Sequence, residues 1–302
     1  MTTQTSTKSP ANTKQPGRIR GIFKRNPIGR GRIIAAIVIV SAYVFAAVFG
    51  PILTGYQGTH TRMGDRLMPP GSTLSDGSFA LFGTDQIGQD LFAQILSGAR
   101  VSIAVGLATL LLAGLIGVIF GLLAGFFGGW IDSLLMRLAD VQLAFPSILL
   151  AIFIASVLGP SVVNVVIVLA ISNWVQFARV TRSQVLTLKN REYVDASRTL
   201  GAKNRHLIFK TILPGCIAPI TVVATVELGQ VILLEAALSF LGVGVPITAQ
   251  SWGSTISNGR DYLADAWWIS TFPGVALAIL VITLGLLGDA LRDRYDPKLR
   301  SR

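Results

Sequence analysis

Residues Arg179–Pro214 read RVTRSQVLTLKNREYVDASRTLGAKNRHLIFKTILP, with eight Lys and Arg and only Glu192 and Asp195 as acids. The segments on either side are apolar enough to span a bilayer. Helix hairpins in bundles close with about 2–8 residues, so a polar connection this long, pinned at both ends, has a use beyond closing a turn. Glu192–Leu200 is helix-compatible, with Val194, Ala196 and Leu200 small or apolar. Gly201 interrupts. Ala202–Ile212 resumes a helical pattern, with Leu207, Ile208 and Ile212 apolar among Lys203, Arg205 and Lys210. Pro214 is expected to end this second helix or to kink the entry into the next span. Two uses fit the pattern equally: a short helix taken into a partner's groove, or a basic helix lying on anionic lipid.

Composition sets the class. Mean hydropathy is +0.61, and charged residues are 14% of the chain, against about 25% in soluble domains. The chain reads as an all-α, polytopic membrane helical bundle. Six stretches reach the roughly 20 residues a spanning helix needs: about 33–53, 101–123, 134–158, 161–178, 216–240 and 267–288. The third and fourth are separated by Gly159-Pro160. The organisation that follows is a cytoplasmic N-terminal segment 1–32, a first anchor 33–53 and an extracytoplasmic loop 54–100. A core 101–291 then contains the loop 179–214, and a cytoplasmic tail 292–302 follows. Residues 1–17, rich in Thr, Ser, Lys and Pro, read as disordered, and the apolar run after Arg32 is too long for a cleaved signal.

Charge gives the orientation. With the N-terminus inside, 22 of the 26 Lys and Arg fall on the cytoplasmic side, and only Arg62, Arg66, Arg100 and Arg260 fall outside. This is the positive-inside pattern, with both termini and the Arg179–Pro214 loop in the cytoplasm. The formal charge of +11 then reflects topology and anionic headgroups. Charges scattered over four segments argue against a nucleic-acid partner. The one cysteine, Cys216, excludes an internal disulfide, and His60 and His206 lie in different loops, so no metal cluster is expected.

Several smaller features carry alternatives. In the outer loop, Gly83-Thr84 suits a turn, and Asp85 is expected to cap a helix over Gln86–Leu96. Asp85 and Asp90 serve either that anchoring role or contact with a partner or substrate. Gly117, Gly121 and Gly125 recur every fourth residue, the stripe that lets membrane helices approach closely. Glu227 and Glu235 sit inside the fifth apolar stretch, about 80° apart around a helix. Each reads as a structural hydrogen-bonding group or as part of a translocation path. Trp252, Trp267 and Trp268 suit an interfacial aromatic belt. Gly242, Gly244 and Pro246 suggest a broken segment that contributes to an outer gate, with Ser239 and Trp252 beside it.

Taken together, Asp195-Ala196-Ser197, Gly201 and Ile212-Leu213-Pro214 resemble the EAA loop of ABC importer permeases. The wider string REYVDASRTLGAKNRHLIFKTILP is similar to the dipeptide/oligopeptide permease family, in particular its C-type subunit. Phe82–Asp90, Leu134–Arg137 with Phe145-Pro146, Ala237–Gly242 with Ser251–Gly253, and Gly288-Asp289 to Asp296-Pro297 resemble further strings of that family, in order. The resemblance runs from about Phe23 to Arg300.

The resemblance implies a type I importer permease (MetI-like) fold in a bacterial cytoplasmic membrane. It also implies a coupling loop contributed by Asp195, Ala196, Ser197, Gly201, Ala202, His206, Leu207, Ile212, Leu213 and Pro214. Gly83, Thr84, Asp85, Gly88 and Asp90 would form the outer-loop motif. The implied partners are a homologous B-type permease, two ATPase subunits that hold ATP and Mg, an extracytoplasmic substrate-binding protein, and membrane lipid. The cargo of such permeases is dipeptides, oligopeptides, glutathione or nickel complexes. Asp195, Ser197, Gln89, Gly215 and Gly285 depart from the family pattern, and the last three weaken any transfer of polar contacts. The chain has no Gly-rich phosphate loop and no paired catalytic groups, so it reads as a transport component with no cofactor or catalysis of its own. A secondary transporter would show internal repeats, and none is evident.

Overall fold

Apolar runs of this length, with every backbone polar group needing an internal partner in lipid, can only be helices. The computed structural model describes residues 27–54, 61–246 and 248–295. It contains α1 (Pro27–Thr54), a hairpin of β1 (Ser72–Thr73) and β2 (Phe79–Ala80), α2 (Leu91–Phe127) and α3 (Gly129–Leu143). Then follow α4 (Ser147–Leu158), α5 (Val162–Leu188), α6 (Glu192–Thr199) and α7 (Asn204–His206). A π-helical turn (Leu207–Ile212) leads into α8 (Leu213–Phe240), and α9 (Trp252–Gly259) and α10 (Trp268–Tyr295) close the chain. The polar leader 1–17, His60 and Asp296-Pro297 lie outside the described residues.

Among the described residues, five helices are long and apolar enough to cross a membrane, and six spans result if α3 and α4 count as one. The predicted third span, 134–158, is not a single rod, because α3 and α4 meet at 88°. Pro146 causes the break. It has no N–H for the ladder, and its ring disfavours helical geometry at Phe145.

The most extensive helix pair is α2 with α5, and the glycine stripe explains it. A methyl group added at Gly121 would come within 2.6 Å of Thr181 Cβ, and one at Gly125 within 2.7 Å of Val185 Cβ. Gly117 rests against the Trp174 carbonyl and Phe177. The two backbones are therefore in direct contact along three turns. Ion pairs fasten α3 along the same helix: Arg182 forks onto both carboxylate oxygens of Asp132 at 2.5 and 2.6 Å, and Arg179 meets Asp140 at 2.7 Å. Trp174 Nε1 donates to Gln142 Oε1 at 2.6 Å.

A second core joins α1, α2, α8, α9 and α10 around Ile103, Ile232, Leu280 and Trp252. Trp252 is fully buried, and its Nε1 donates to the Ile95 carbonyl at 2.9 Å. Trp268 is also buried, and Trp267 alone of the three is half exposed. The aromatic-belt expectation therefore fails for Trp252 and Trp268, because both indoles fill gaps between helices.

The outer loop also differs from expectation. No helix covers Gln86–Leu96; α2 starts at Leu91, and its N-cap is Asp90, whose carboxylate accepts from Phe92 N at 3.1 Å. Asp85 instead closes a turn, accepting from the N–H groups of Ile87 and Gln89 at 3.0 and 2.8 Å. At Gly88, φ is +76°, and a side chain there would strike the Arg62 carbonyl. That backbone cannot belong to a helix of L-residues, which displaces the helix start past it.

Candidate functional site

The Arg179–Pro214 stretch folds into an elbow at one end of the bundle. Its first ten residues are not loop, since α5 runs on to Leu188. Lys189 then turns back, and its Nζ donates to the Gly125 carbonyl at 2.8 Å, a cation on the carbonyl-rich last turn of α2. Helix α6 ends in a Schellman motif: Gly201 N–H donates to Arg198 O at 3.0 Å and Ala202 N–H to Ser197 O at 3.1 Å. Gly201 holds φ +84°, the left-handed geometry this cap requires. The residue singled out as an interruption is thus the hinge of the elbow.

The elbow is held from beneath. Val194, Leu207, Ile208 and Ile212 are buried with Leu122, Val185 and Cys216 in one cluster. Leu207 and Ile212 therefore anchor the elbow and do not face outward. Pro214 neither ends nor sharply kinks the helix. The turn before it widens to π geometry, with Leu213 N–H donating to Ile208 O, and the helix runs on from Asn204 to Phe240. A π-turn accommodates a residue that breaks the regular ladder, and such turns are frequent at functional sites.

The opposite face is open. Leu200 is 88% exposed and Phe209 56% exposed. They line a groove of about 820 Å³ with Ser197, Gly201, Ala202, Lys203, Arg205, His206 and Lys210. Asp195 and Ala196 lie exposed on α6, with Asp195 paired to Arg198 at 3.2 Å. The expected coupling residues so divide into an anchoring set and an exposed set. Leu200 and Phe209, the largest apolar groups on the open face, were not among them. Their signal was present as apolar residues out of phase with Leu207 and Ile212.

A second feature lies at the α3–α4 break, a cleft of about 510 Å³ between that corner, α5 and α8. Gln142, Asn173, Gln176, Glu227 and Gln230 line it together with apolar groups. Glu235 is elsewhere. It is fully buried and accepts from Ser102 Oγ at 2.9 Å and Ser239 Oγ at 2.8 Å. Ser239 and Trp252 belong to that packed region with it. Gly242 caps α8 with a second Schellman pattern, Val243 N–H to Leu238 O at 3.1 Å.

The outer motif is a scaffold. Thr84 is buried, with its hydroxyl donating to Asp65 O at 2.6 Å. Gln94 Nε2 donates to Asp85 at 2.6 Å, and Gln250 Nε2 donates to Gln94 at 2.8 Å. Trp268 Nε1 reaches the Thr84 carbonyl at 3.1 Å. Gly83 and Gly88 both hold positive φ in this motif. Burial of Asp85 raises its pKa from the ordinary 3.8, against the lowering effect of the hydrogen bonds it accepts.

A helical bundle with a glycine-packed spine, a polar cleft within its spans and an anchored elbow at one end has the build of a transporter's membrane subunit. Residues 117–301 match the family of binding-protein-dependent transport system inner membrane components, and the chain belongs to that family. It is 41% identical to a dipeptide transport permease of Alkalihalophilus pseudofirmus, over 89% of this chain and 86% of the relative. A di/tripeptide transport permease of Pseudomonas aeruginosa is 40% identical over 92% and 91%, respectively. An oligopeptide transport permease of Bacillus subtilis is 39% identical over 88% and 86%. Among solved structures, an inward-facing methionine ABC transporter (MetNI) shares the fold with TM-score 0.55 and 19% identity, over 67% of this chain and 97% of that one. The chain is the membrane permease component of an ABC importer, a class that works with ATPase and binding-protein partners.

Proposed function

We propose that this chain forms one half of the translocation path of a peptide importer in a bacterial cytoplasmic membrane, with both termini in the cytoplasm. It pairs with a homologous B-type permease. Two ATPase subunits, which carry ATP and Mg, dock on the elbow, and an extracytoplasmic binding protein delivers di- or oligopeptides. The chain holds no cofactor and catalyses no reaction; its work is conformational. The peptide-transport roles of the relatives support the peptide cargo.

The observation that carries the coupling role is the two-faced elbow. An exposed apolar pair, Leu200 and Phe209, sits in a groove whose charged members are Lys203, Arg205 and Lys210. Its underside is locked into the bundle through Val194, Leu207 and Ile212. A rigid element of this kind transmits a push from its partner to α5 and α8, whereas a lipid-bound helix needs no such anchoring. Co-expression with the partner permease and ATPase subunits tests this. Tagged wild-type protein should retain the ATPase subunits and support ATP-driven peptide uptake. Phe209→Ala with Leu200→Ser should lose both while the permease pair stays assembled; retention of the ATPase subunits by this variant would refute the docking role.

A further inference from the structure

Glu227 lies near the middle of α8, about 20 Å from either end at 1.5 Å per residue. It is half buried and lines the cleft at the α3–α4 break. Of the described residues lining that cleft, it is the one ionisable side chain; the polar remainder are carboxamides and serines. Among the described residues its carboxylate has no ion-pair or hydrogen-bond partner. Glu235, eight residues further along the same helix, receives two serine hydroxyls. The fold therefore satisfies one of the two carboxylates and leaves the other facing open space.

An unpaired carboxylate at this depth costs free energy unless water, a cation or a proton meets it. The neighbouring groups reinforce the reading. Asn173 and Ser172 each spend one donor on the carbonyls of Leu169 and Val168 in their own helix, at 2.7 and 2.9 Å. The Ser172 hydroxyl, its single O–H so used, is left as an acceptor, and the Asn173 carboxamide keeps its oxygen and one N–H. Gln142, which also lines the cleft, accepts from Trp174 Nε1 through its carboxamide oxygen. The one carboxylate selects a cationic group, and the carboxamides and hydroxyls around it can accept from the N–H donors such a group carries. The volume of about 510 Å³ falls within the roughly 300–1,000 Å³ of small-molecule sites.

We infer that this cleft is a transient binding station for the ammonium group of the peptide in transit, with Glu227 as its counter-ion. The inference rests on the proposed peptide-importer role and adds a site within the membrane to it. A single charge-assisted hydrogen bond at an otherwise neutral site gives weak attachment, which suits a station that must release its cargo.

The test uses the complete transporter in proteoliposomes, with loaded binding protein and radiolabelled dialanine, and follows dialanine uptake and ATP hydrolysis together. Glu227→Gln should lower dialanine moved per ATP by about tenfold or more, the size of one lost charge-assisted hydrogen bond, with stimulated hydrolysis unchanged. Glu227→Asp should restore most of the ratio. An unchanged ratio in Glu227→Gln overturns the inference. So does a parallel fall in hydrolysis and uptake, or loss of the partner permease from the complex, since either makes the carboxylate structural. Failure of the wild-type complex to move dialanine with ATP would count against the peptide-importer role itself, and the variant ratio is read only once that control succeeds.

Discussion

Glu235 and Glu227 share a helix and differ in what surrounds them. Ser102 and Ser239 between them supply one hydroxyl to each oxygen of the Glu235 carboxylate. Removing one hydroxyl leaves a buried acceptor short, at a cost of about 1–3 kcal/mol. Ser239→Ala is therefore expected to lower the melting temperature of the detergent-purified protein, and Ser102→Ala/Ser239→Ala to lower it further. If the carboxylate lay instead in a watery path, neither change would register. Asp85 gives a pH dependence at the same scale. Its native pKa lies above the ordinary 3.8 because burial outweighs the hydrogen bonds it accepts. A raised carboxyl pKa means the folded state takes up its proton more readily than the unfolded state. The outer lobe is therefore expected to gain stability as pH falls from above the raised value towards 3.8, and to lose that gain as pH rises again. Hydrogen exchange of residues 61–90, corrected for intrinsic rates, should show this slope. Asp85→Asn should flatten it.

Among the elements, the elbow and the α2–α5 pair depend on glycine for different reasons. Gly201 has empty space around an added Cβ but a φ of +84°, so substitution strains the backbone alone. Gly201→Val should cost about 1–2 kcal/mol and Gly201→Asn less. The outcome to measure is increased protease cutting between Thr199 and Lys203 together with weaker ATPase stimulation. Gly121 is helical and crowded, and Gly121→Val should cost about 1–3 kcal/mol by overpacking, seen as a lower melting temperature without new cutting at the elbow. The sequence displayed both cases through spacing and pattern: the stripe by its four-residue period, and Gly201 by its place between two helical runs. What it hid were orientations. Leu200 and Leu207 look alike as apolar residues among charges, yet one is 88% exposed and the other 1%. The Schellman cap turns the chain between them, and no one-dimensional period carries through such a turn. Asp85 closes a turn and caps no helix because the shape of the Asp85–Gly88 turn is fixed by the Arg62 backbone packed against it, a contact distant in sequence.

At the scale of the whole molecule, six apolar stretches and the charge asymmetry were legible because the bilayer imposes both directly. The 88° break was legible only as a proline. Its angle comes from α3 being fastened along α5 by the Asp132–Arg182 and Asp140–Arg179 pairs, while α4 packs on α5 and α8. Those pairs also bear on topology. They hold Arg179 and Arg182 in the last turns of α5, the helix that leads into the elbow. Membrane-impermeant maleimide labelling gives a direct readout, because the one native cysteine, Cys216, is buried and contributes little background. Leu200→Cys, on the elbow, should label in inside-out vesicles and stay dark in intact cells. Thr73→Cys, exposed on the β1–β2 hairpin, should label in intact cells. The two sites lie at opposite ends of α2, whose 37 residues span about 55 Å at 1.5 Å each, more than a bilayer's hydrocarbon thickness. They must therefore report from opposite sides. Labelling of Leu200→Cys from outside would invert the bundle and place the elbow beyond reach of any cytoplasmic ATPase.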